Sequence, residues 1–164
     1  MKHLVGQTHN GVQVYAQLIG SPAGENIARQ PQLLTLAKEM FAKVTLRGPK
    51  VDLEYDMARP VGYSFIVKTS ETDTIFYARL LKDDMFTRFV KNGKPQATRY
   101  ITVALLRDSD NNYELSDIRL GRLMPPRPGS ASETADSKDY WSSHALVLDT
   151  QPLQLKTVTK TCPY

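Results

Sequence analysis

Val61-Gly-Tyr-Ser-Phe-Ile-Val-Lys68 opens the stretch that decides the fold, which runs from Pro60 to Gly121. Four further runs of β-branched and aromatic residues follow it: Thr74-Ile-Phe-Tyr-Ala-Arg79, Thr87-Arg-Phe-Val-Lys91, Tyr100-Ile-Thr-Val-Ala-Leu-Leu-Arg107 and Tyr113-Glu-Leu-Ser-Asp-Ile-Arg-Leu-Gly121. Short segments of turn residues separate the runs. Because a parallel return needs about a dozen residues or more, connections this short predict a curled antiparallel meander over residues 60–121.

The residues before the meander predict a hairpin and one helix. Asn10-Gly11 suits the two-residue turn of a hairpin within residues 1–20. Apolar residues then recur at spacings of three and four, which predicts an amphipathic helix over residues 26–46 with Pro31 in its first turn. The apolar stripe of this helix needs a partner, and the meander is the only large candidate.

The residues after the meander predict a loop, a helix and a tail. Prolines exclude regular structure over residues 123–133, and a short helix is expected over residues 134–147. The tail, residues 148–164, alternates weakly and could either add a last strand or be partly disordered. The fold class is therefore predicted to be α+β: an N-terminal hairpin and helix packed on a curved antiparallel β-meander of four to six strands, with a short C-terminal helix. Residues 1–164 are expected to form a single domain.

The composition bounds the class of protein. A hydrophobic share of 41% and a charged share of 23% are ordinary for a globular domain. No apolar run approaches the length of a membrane span, and the first residues lack the apolar core of a signal peptide, so we expect a cytoplasmic protein without a membrane partner. The lone Cys162 excludes an internal disulfide. A net charge of +4 permits an anionic partner without requiring one.

Several chemistries lack their sequence signals. There is no cysteine pair and no closely spaced histidine pair for zinc, no glycine-rich phosphate loop, no dinucleotide fingerprint and no Gly-x-Ser-x-Gly elbow. We therefore expect neither a cofactor nor a metal.

The remaining candidates form a metal-free set. His144 falls near the end of the predicted C-terminal helix, where the negative end of the dipole favours imidazolium and suits general acid–base work; the alternative is a structural histidine. Basic residues on adjacent strands can converge on one face and clamp a phosphate, or simply face solvent. These residues are Arg79, Arg88, Lys91 and Arg119, with Tyr77 beside them. Thr102 lies in an apolar strand, where its hydroxyl needs a partner.

The order of elements resembles that of the barnase–EndoU–colicin–RelE group of small metal-free ribonucleases, many of them toxins of bacteria or phage. The resemblance covers residues 26–146 at the level of architecture and implies that a ribose 2′-hydroxyl attacks the adjacent phosphate. His144 would then act as general acid or base, and Arg79 and Arg88 would stabilise charge on the phosphoryl oxygens. Thr102 or a tyrosine would position the phosphate, and Lys91, Arg119 and Tyr77 would bind substrate. The group's strand glutamate has no clear counterpart, since Glu114 and Glu54 are the only candidates.

Two hypotheses of different classes follow. The first is a metal-independent endoribonuclease acting on RNA. The second is a non-catalytic module, monomeric or homodimeric, that binds a protein or a nucleic acid. The enzyme requires His144 and at least two of the basic residues to converge in one concave site. A further alternative is that Pro125-Pro-Arg-Pro128 serves as an extended peptide ligand.

Overall fold

The structure, a computed structural model, describes residues 2–80, 86–128, 130, 133–147 and 155–163. Within them the helices are α1 (Pro22–Arg29), α2 (Gln32–Phe41) and α3 (Ser137–Ser143). The strands are β1 (Lys2–Gln7), β2 (Gln13–Gln17), β3 (Lys50–Asp56), β4 (Gly62–Ser64), β5 (Ile66–Lys68), β6 (Thr74–Leu80), β7 (Phe86–Lys91), β8 (Gln96–Thr98), β9 (Tyr100–Arg107), β10 (Tyr113–Leu120), β11 (His144–Val147) and β12 (Leu155–Thr159). The predicted α+β class with a short C-terminal helix is confirmed. No helix of the described residues is long and apolar enough to cross a membrane.

The chain divides into two compact units. Unit 1 comprises Met1–Gly62 and Thr98–Leu123, and unit 2 comprises Tyr63–Ala97 and Met124–Tyr164. The short strands β4 and β8 pair where the chain passes from one unit to the other. A domain is defined by cooperative unfolding rather than by compactness, so the expected single domain stays a prediction.

Unit 1 is a five-stranded sheet in the order β1-β2-β10-β9-β3, with β2 and β10 parallel and the other neighbours antiparallel. The predicted hairpin is present as β1 and β2, although five residues connect its strands instead of two, and only Gly11 among them has a positive φ. Helix α1 contributes Ile27, and helix α2 contributes Leu33, Met40 and Phe41, to a large apolar core, where they join buried residues of β9 and β10. This is the helix-on-sheet packing that the apolar stripe predicted.

The single helix predicted over residues 26–46 is wrong in its bounds, because two helices occupy this region. The first begins earlier than predicted: Ser21 caps α1, its side chain accepting a hydrogen bond from the Gly24 N–H. Pro31 then separates α1 from α2, since proline disfavours helical backbone in the preceding residue, and Gln30 accordingly has φ −133° and ψ 80°.

Unit 2 is a five-stranded sheet in the order β12-β6-β7-β11-β5. Strands β6 and β7 are antiparallel, whereas β7 and β11 are parallel. Its core is small: Val67, Val90, Ala145 and Val147 are buried together, with Phe65 and Ile75 against them. The tail forms β12, which pairs with β6 as an edge strand; residues 148–154 of that predicted tail lie outside the described residues.

The predicted meander over residues 60–121 is not one continuous sheet, and its first predicted strand, over residues 61–68, is divided into β4 and β5, which belong to different sheets. The pairs β6–β7 and β9–β10 are antiparallel neighbours joined by short connections, as expected. However, β5 pairs with β11 instead of β6, and the chain passes into unit 1 between β7 and β9. The strands of the meander are thus shared between two sheets.

The C-terminal helix is shorter than predicted. It ends at Ser143 instead of residue 147, and His144 has the extended angles φ −128° and ψ 150°. The following residues form β11, which enters the sheet between β5 and β7. The His144–Val147 run buries alternate residues, as a strand does, because Ala145 and Val147 both join the core of unit 2.

Candidate functional site

A cavity of about 220 Å³ lies within unit 2. Its walls come from β6, β7, the proline-rich loop, α3 and the C-terminal tail. The residues that line it are Tyr77, Phe86, Thr87, Arg88, Arg127, Pro128, Lys138, Trp141, Ser142 and Cys162. We call this cavity the unit 2 pocket.

The register of β6 and β7 brings two predicted residues to the unit 2 pocket. Tyr77 pairs with Arg88, and Arg79 pairs with Phe86. Side chains of directly opposed residues share a face of the sheet, so these four lie on one face. The Arg79 guanidinium lies over the Phe86 ring, 4.5 Å from its centroid, and its Nε is buried without a hydrogen-bond partner. Arg79 therefore lies behind a wall of the pocket and does not line it.

Arg88 is held in place by neutral acceptors. Its Nη1 donates to Thr69 Oγ1 at 2.9 Å and to the His144 carbonyl at 3.0 Å. Its Nε is buried and has no hydrogen-bond partner among the residues that the structure describes. None of these contacts neutralises the guanidinium, so Arg88 brings a positive charge to the wall of the pocket.

Tyr77 joins β6 to the C-terminal tail at the pocket. Burial raises the pKa of the Tyr77 hydroxyl above its usual value, and nearby Cys162 raises it further, while a hydrogen bond from Arg88 opposes the change. The phenol thus stays protonated at neutral pH and can both donate and accept a hydrogen bond.

Helix α3 and the proline-rich loop supply the opposite walls. Lys138, Trp141 and Ser142 are spaced by three and four residues, which places them on one side of α3. The Trp141 Nε1–H donates to the Pro125 carbonyl at 3.2 Å, and Arg127 Nη1 donates to Thr87 Oγ1. The loop of Pro125-Pro-Arg-Pro128 is in this way attached to both α3 and β7.

The charge of the pocket is one-sided. Arg88, Arg127 and Lys138 line it, and no aspartate or glutamate is among its lining residues as far as the structure describes them. Within the described residues, neither Arg88 nor Lys138 has a carboxylate partner. Cations and aromatic rings around one cavity are suited to an anionic ligand that carries a flat ring.

His144 lies elsewhere. Leu146 pairs with Phe89 and Val147 with Val90, so His144, two residues before Leu146, belongs to the Phe89 face of the sheet. Arg88 and Val90 belong to the other face. The His144 ring stacks on Tyr140 with 4.0 Å between centroids, and its Nδ1 lies 2.9 Å from the Tyr140 carbonyl, to which it can donate. His144 does not line the unit 2 pocket.

Three other predicted residues are also separate from the pocket. Lys91, at the end of β7, is not among the residues that line the pocket. Thr102 and Arg119 belong to unit 1. There the buried Thr102 hydroxyl donates to the Gly121 carbonyl at 2.8 Å, and Arg119 Nη1 contacts the Asp117 carboxylate at 3.1 Å. Neither Thr102 nor Arg119 is among the residues that line the unit 2 pocket, and their predicted roles stay predictions.

The two candidate glutamates of the ribonuclease hypothesis are both paired in unit 1. Glu54 accepts hydrogen bonds from Arg122 and from the Leu123 N–H, and Glu114 pairs with Lys2 at 3.0 Å. Among the described residues, no group of three or more His, Cys, Asp or Glu side chains is placed to hold a metal ion. The expectation that the protein uses no metal stays a prediction.

Sequence reasoning identified Tyr77 and Arg88 but missed most of the pocket. Lys138, Trp141 and Ser142 carry a detectable signal, since their spacing marks one side of a helix. Arg127 carries none, because it lies in an irregular loop whose course no periodicity describes.

Comparisons of the chain with protein-family models, with curated proteins and with solved structures found no match. The resemblance to the barnase–EndoU–colicin–RelE group therefore stays a prediction.

Proposed function

We propose that this chain is a non-catalytic nucleic-acid-binding module whose ligand enters the unit 2 pocket. The observation that carries the proposal is the pairing pattern of its cations. Arg88 and Lys138 line a pocket without a carboxylate partner among the described residues, where each remains available to a phosphate. Charge-assisted hydrogen bonds from arginine and lysine to phosphate are among the stronger polar contacts in proteins.

The aromatic walls add the second half of a nucleotide site. Tyr77, Phe86 and Trp141 line the same pocket as the cations. Stacking of a base on an aromatic side chain contributes about 1–3 kcal/mol and tolerates any base, because every base has a π-face. A protein partner is less favoured, since the pocket is concave and too small for a standard protein interface.

The ribonuclease hypothesis is a weaker proposal on the same residues. Its acid–base residue, His144, is on the opposite face of the sheet from Arg88, and its ring is stacked on Tyr140. Because the histidine that the ribonuclease hypothesis needs does not line the pocket, binding is expected without cleavage. Labelled RNA incubated with the protein in EDTA should remain intact. Cleavage that His144→Ala abolishes would instead favour the enzyme.

Trp141 gives a direct test of binding because it is the only tryptophan of the chain and lines the pocket. Titration with a short single-stranded oligoadenylate should change the Trp141 fluorescence, and the binding constant should fall as salt rises. Lys138→Ala should weaken binding about tenfold, the effect of a lost hydrogen bond to a charged group. The control is Lys160→Ala, which removes the same charge from an exposed residue outside the pocket. Saturable binding that both variants retain unchanged would overturn the assignment of the pocket.

A further inference from the structure

We infer that the unit 2 pocket recognises a terminal phosphate monoester, that is, a phosphorylated strand end or a free nucleotide, in preference to the phosphodiester interior of a strand. This inference rests on the proposed function and names the part of the ligand that the pocket selects. Three observations carry it: the charge of the pocket, its size and its aromatic walls.

The charge of the pocket matches a dianion better than a monoanion. Arg88 and Lys138 contribute two positive charges with no carboxylate partner in the described part of the chain, and the lining residues include no acid. A phosphate monoester carries about −1.5 to −2 charges at pH 7, whereas each internal phosphodiester carries one. A diester would leave part of this positive charge without a counter-charge.

The size of the pocket favours one nucleotide over a run of several. Its volume of about 220 Å³ lies below the common range of about 300–1,000 Å³ for small-molecule sites. Five separate segments of the chain form its walls, from β6 at Tyr77 to the tail at Cys162. A strand interior needs a groove that continues over several nucleotides, as in single-strand-binding proteins, and a pocket of this volume is better suited to a single unit.

The aromatic walls decide which group accompanies the phosphate. Lys138 and Trp141 are neighbours on one side of α3, so a phosphate beside Lys138 brings the attached nucleoside next to the exposed part of the otherwise buried Trp141 side chain. Inorganic phosphate alone would lack this contact. The ligand is therefore a nucleotide unit with a terminal phosphate.

The experiment compares oligoadenylates that differ only at their ends, with Trp141 fluorescence as the readout. The strands of the set end in a 5′-phosphate, in a 3′-phosphate or in hydroxyl groups only. A fourth strand has its 5′-phosphate blocked as the methyl ester, which keeps the phosphate group but carries one negative charge. At least one phosphorylated end should bind about tenfold more tightly than the hydroxyl-ended strand, and the methyl ester should bind with intermediate affinity. Lys138→Ala should reduce the preference to about threefold or less, while Lys160→Ala should retain it.

The outcomes separate this inference from the proposed function. Equal binding of all the strands would overturn the inference and leave nucleic-acid binding in place. No binding of any strand would overturn both. Adenosine monophosphate and inorganic phosphate complete the set: a mononucleotide that binds as tightly as the phosphorylated strand would support the inference, because the terminal nucleotide unit would then be a sufficient ligand. Inorganic phosphate that competes as well as the mononucleotide would overturn the nucleotide part of the inference.

Discussion

The two units of this chain place their charges differently. In the described part of unit 1 six ion pairs join cations to carboxylates, among them Lys2–Glu114, Arg59–Glu39 and Arg122–Glu54. In unit 2 Arg88 and Lys138 have no carboxylate partner among the described residues, and both line one pocket. The net charge of the sequence does not reveal this difference, because it does not record which cations have carboxylate partners. A cation that is paired with a carboxylate is already neutralised within the fold. A cation that lines a cavity without such a partner is available to an anionic ligand.

The two units also differ in their cores. The core of unit 1 combines buried residues of two helices and several strands, including the fully buried Phe41, Leu33 and Tyr113. The buried cluster of unit 2 is small within the described residues, and its sheet also supplies the walls of the pocket. Polar side chains that line a binding site occupy sheet surface that could otherwise bury apolar side chains. A binding site therefore commonly lowers the stability of the fold.

The largest expected effect comes from removing a buried ring of unit 2. Phe89 is fully buried and stacks on Phe76 with 5.3 Å between the ring centroids. Phe89→Ala should lower the free energy of unfolding by about 3–5 kcal/mol, because it removes apolar contacts and leaves a cavity. Urea denaturation followed by Trp141 fluorescence measures this change. A loss below about 1 kcal/mol would contradict the packing described for β6 and β7.

The matched variant in unit 1 is Phe41→Ala, which also removes a fully buried ring. If the 164 residues unfold as one domain, as their length predicts, Phe41→Ala should shift the same Trp141 transition although Trp141 belongs to unit 2. A Trp141 transition that does not move would show that the two units are separate domains.

An intermediate effect on stability is expected from substituting Arg88 in unit 2, and a smaller one from substituting Arg99 in unit 1. Arg88→Met removes the donor to Thr69 and to the His144 carbonyl and should cost about 1–3 kcal/mol, because partly buried acceptors lose their partner. Arg99→Met breaks the ion pair with Asp56 at the exposed surface of unit 1 and should change stability little. Chemical denaturation of the two variants measures both. Equal losses would show that the Arg88 contacts add nothing beyond those of a surface pair.

The smallest expected effect is the loss of stability of unit 1 at low pH. Hydrogen bonds from Arg59 and from Arg99 hold the pKa values of Glu39 and Asp56 below their usual range. Burial acts to raise the pKa of Glu54, but Arg122 and the Leu123 N–H outweigh it and lower the pKa. A carboxyl group whose pKa is lower in the folded state stabilises the fold above its unfolded value, near 4, and this contribution is lost as the pH falls through the folded value.

Unit 1 should therefore lose amide protection in β3 and β9 progressively below about pH 4. The control is a variant with Glu39→Gln, Asp56→Asn and Glu54→Gln, in which this part of the acid dependence should be absent. An unchanged pH profile in that variant would show that these pairs do not contribute to the stability of unit 1.

Local structure was largely predictable from the sequence, and pairing was not. Alternation and short turns act between neighbouring residues, so the strands β6, β7, β9 and β10 were identified correctly. The four residues of β11 are too few for periodicity to distinguish a strand from the end of a helix. Their insertion beside β7 depends on residues more than fifty positions apart, which no local pattern records.

The residues of the candidate site that lie on regular strands were predictable from the sequence, and those in irregular segments were not. Tyr77 and Arg88 were identified because alternation on adjacent strands brings such residues to one face. His144 was assigned to the end of a helix, and the strand that replaces that end carries it to another face. The loop that brings Arg127 to the pocket has no pattern from which its course follows.

The most direct measurement compares the oligoadenylate binding of two double variants. Each variant removes two positive charges, in one case from unit 2 and in the other from unit 1. Arg88→Gln with Lys138→Ala removes two cations of the unit 2 pocket, and Arg59→Gln with Lys43→Ala removes two cations that pair with Glu39 in unit 1. Both variants must first show a cooperative unfolding transition. Single-stranded oligoadenylate binding, measured at fixed salt, should weaken about a hundredfold in the unit 2 variant and no more than about threefold in the unit 1 variant. Equal weakening in both would mean that net charge alone attracts the ligand and would contradict a binding site in unit 2.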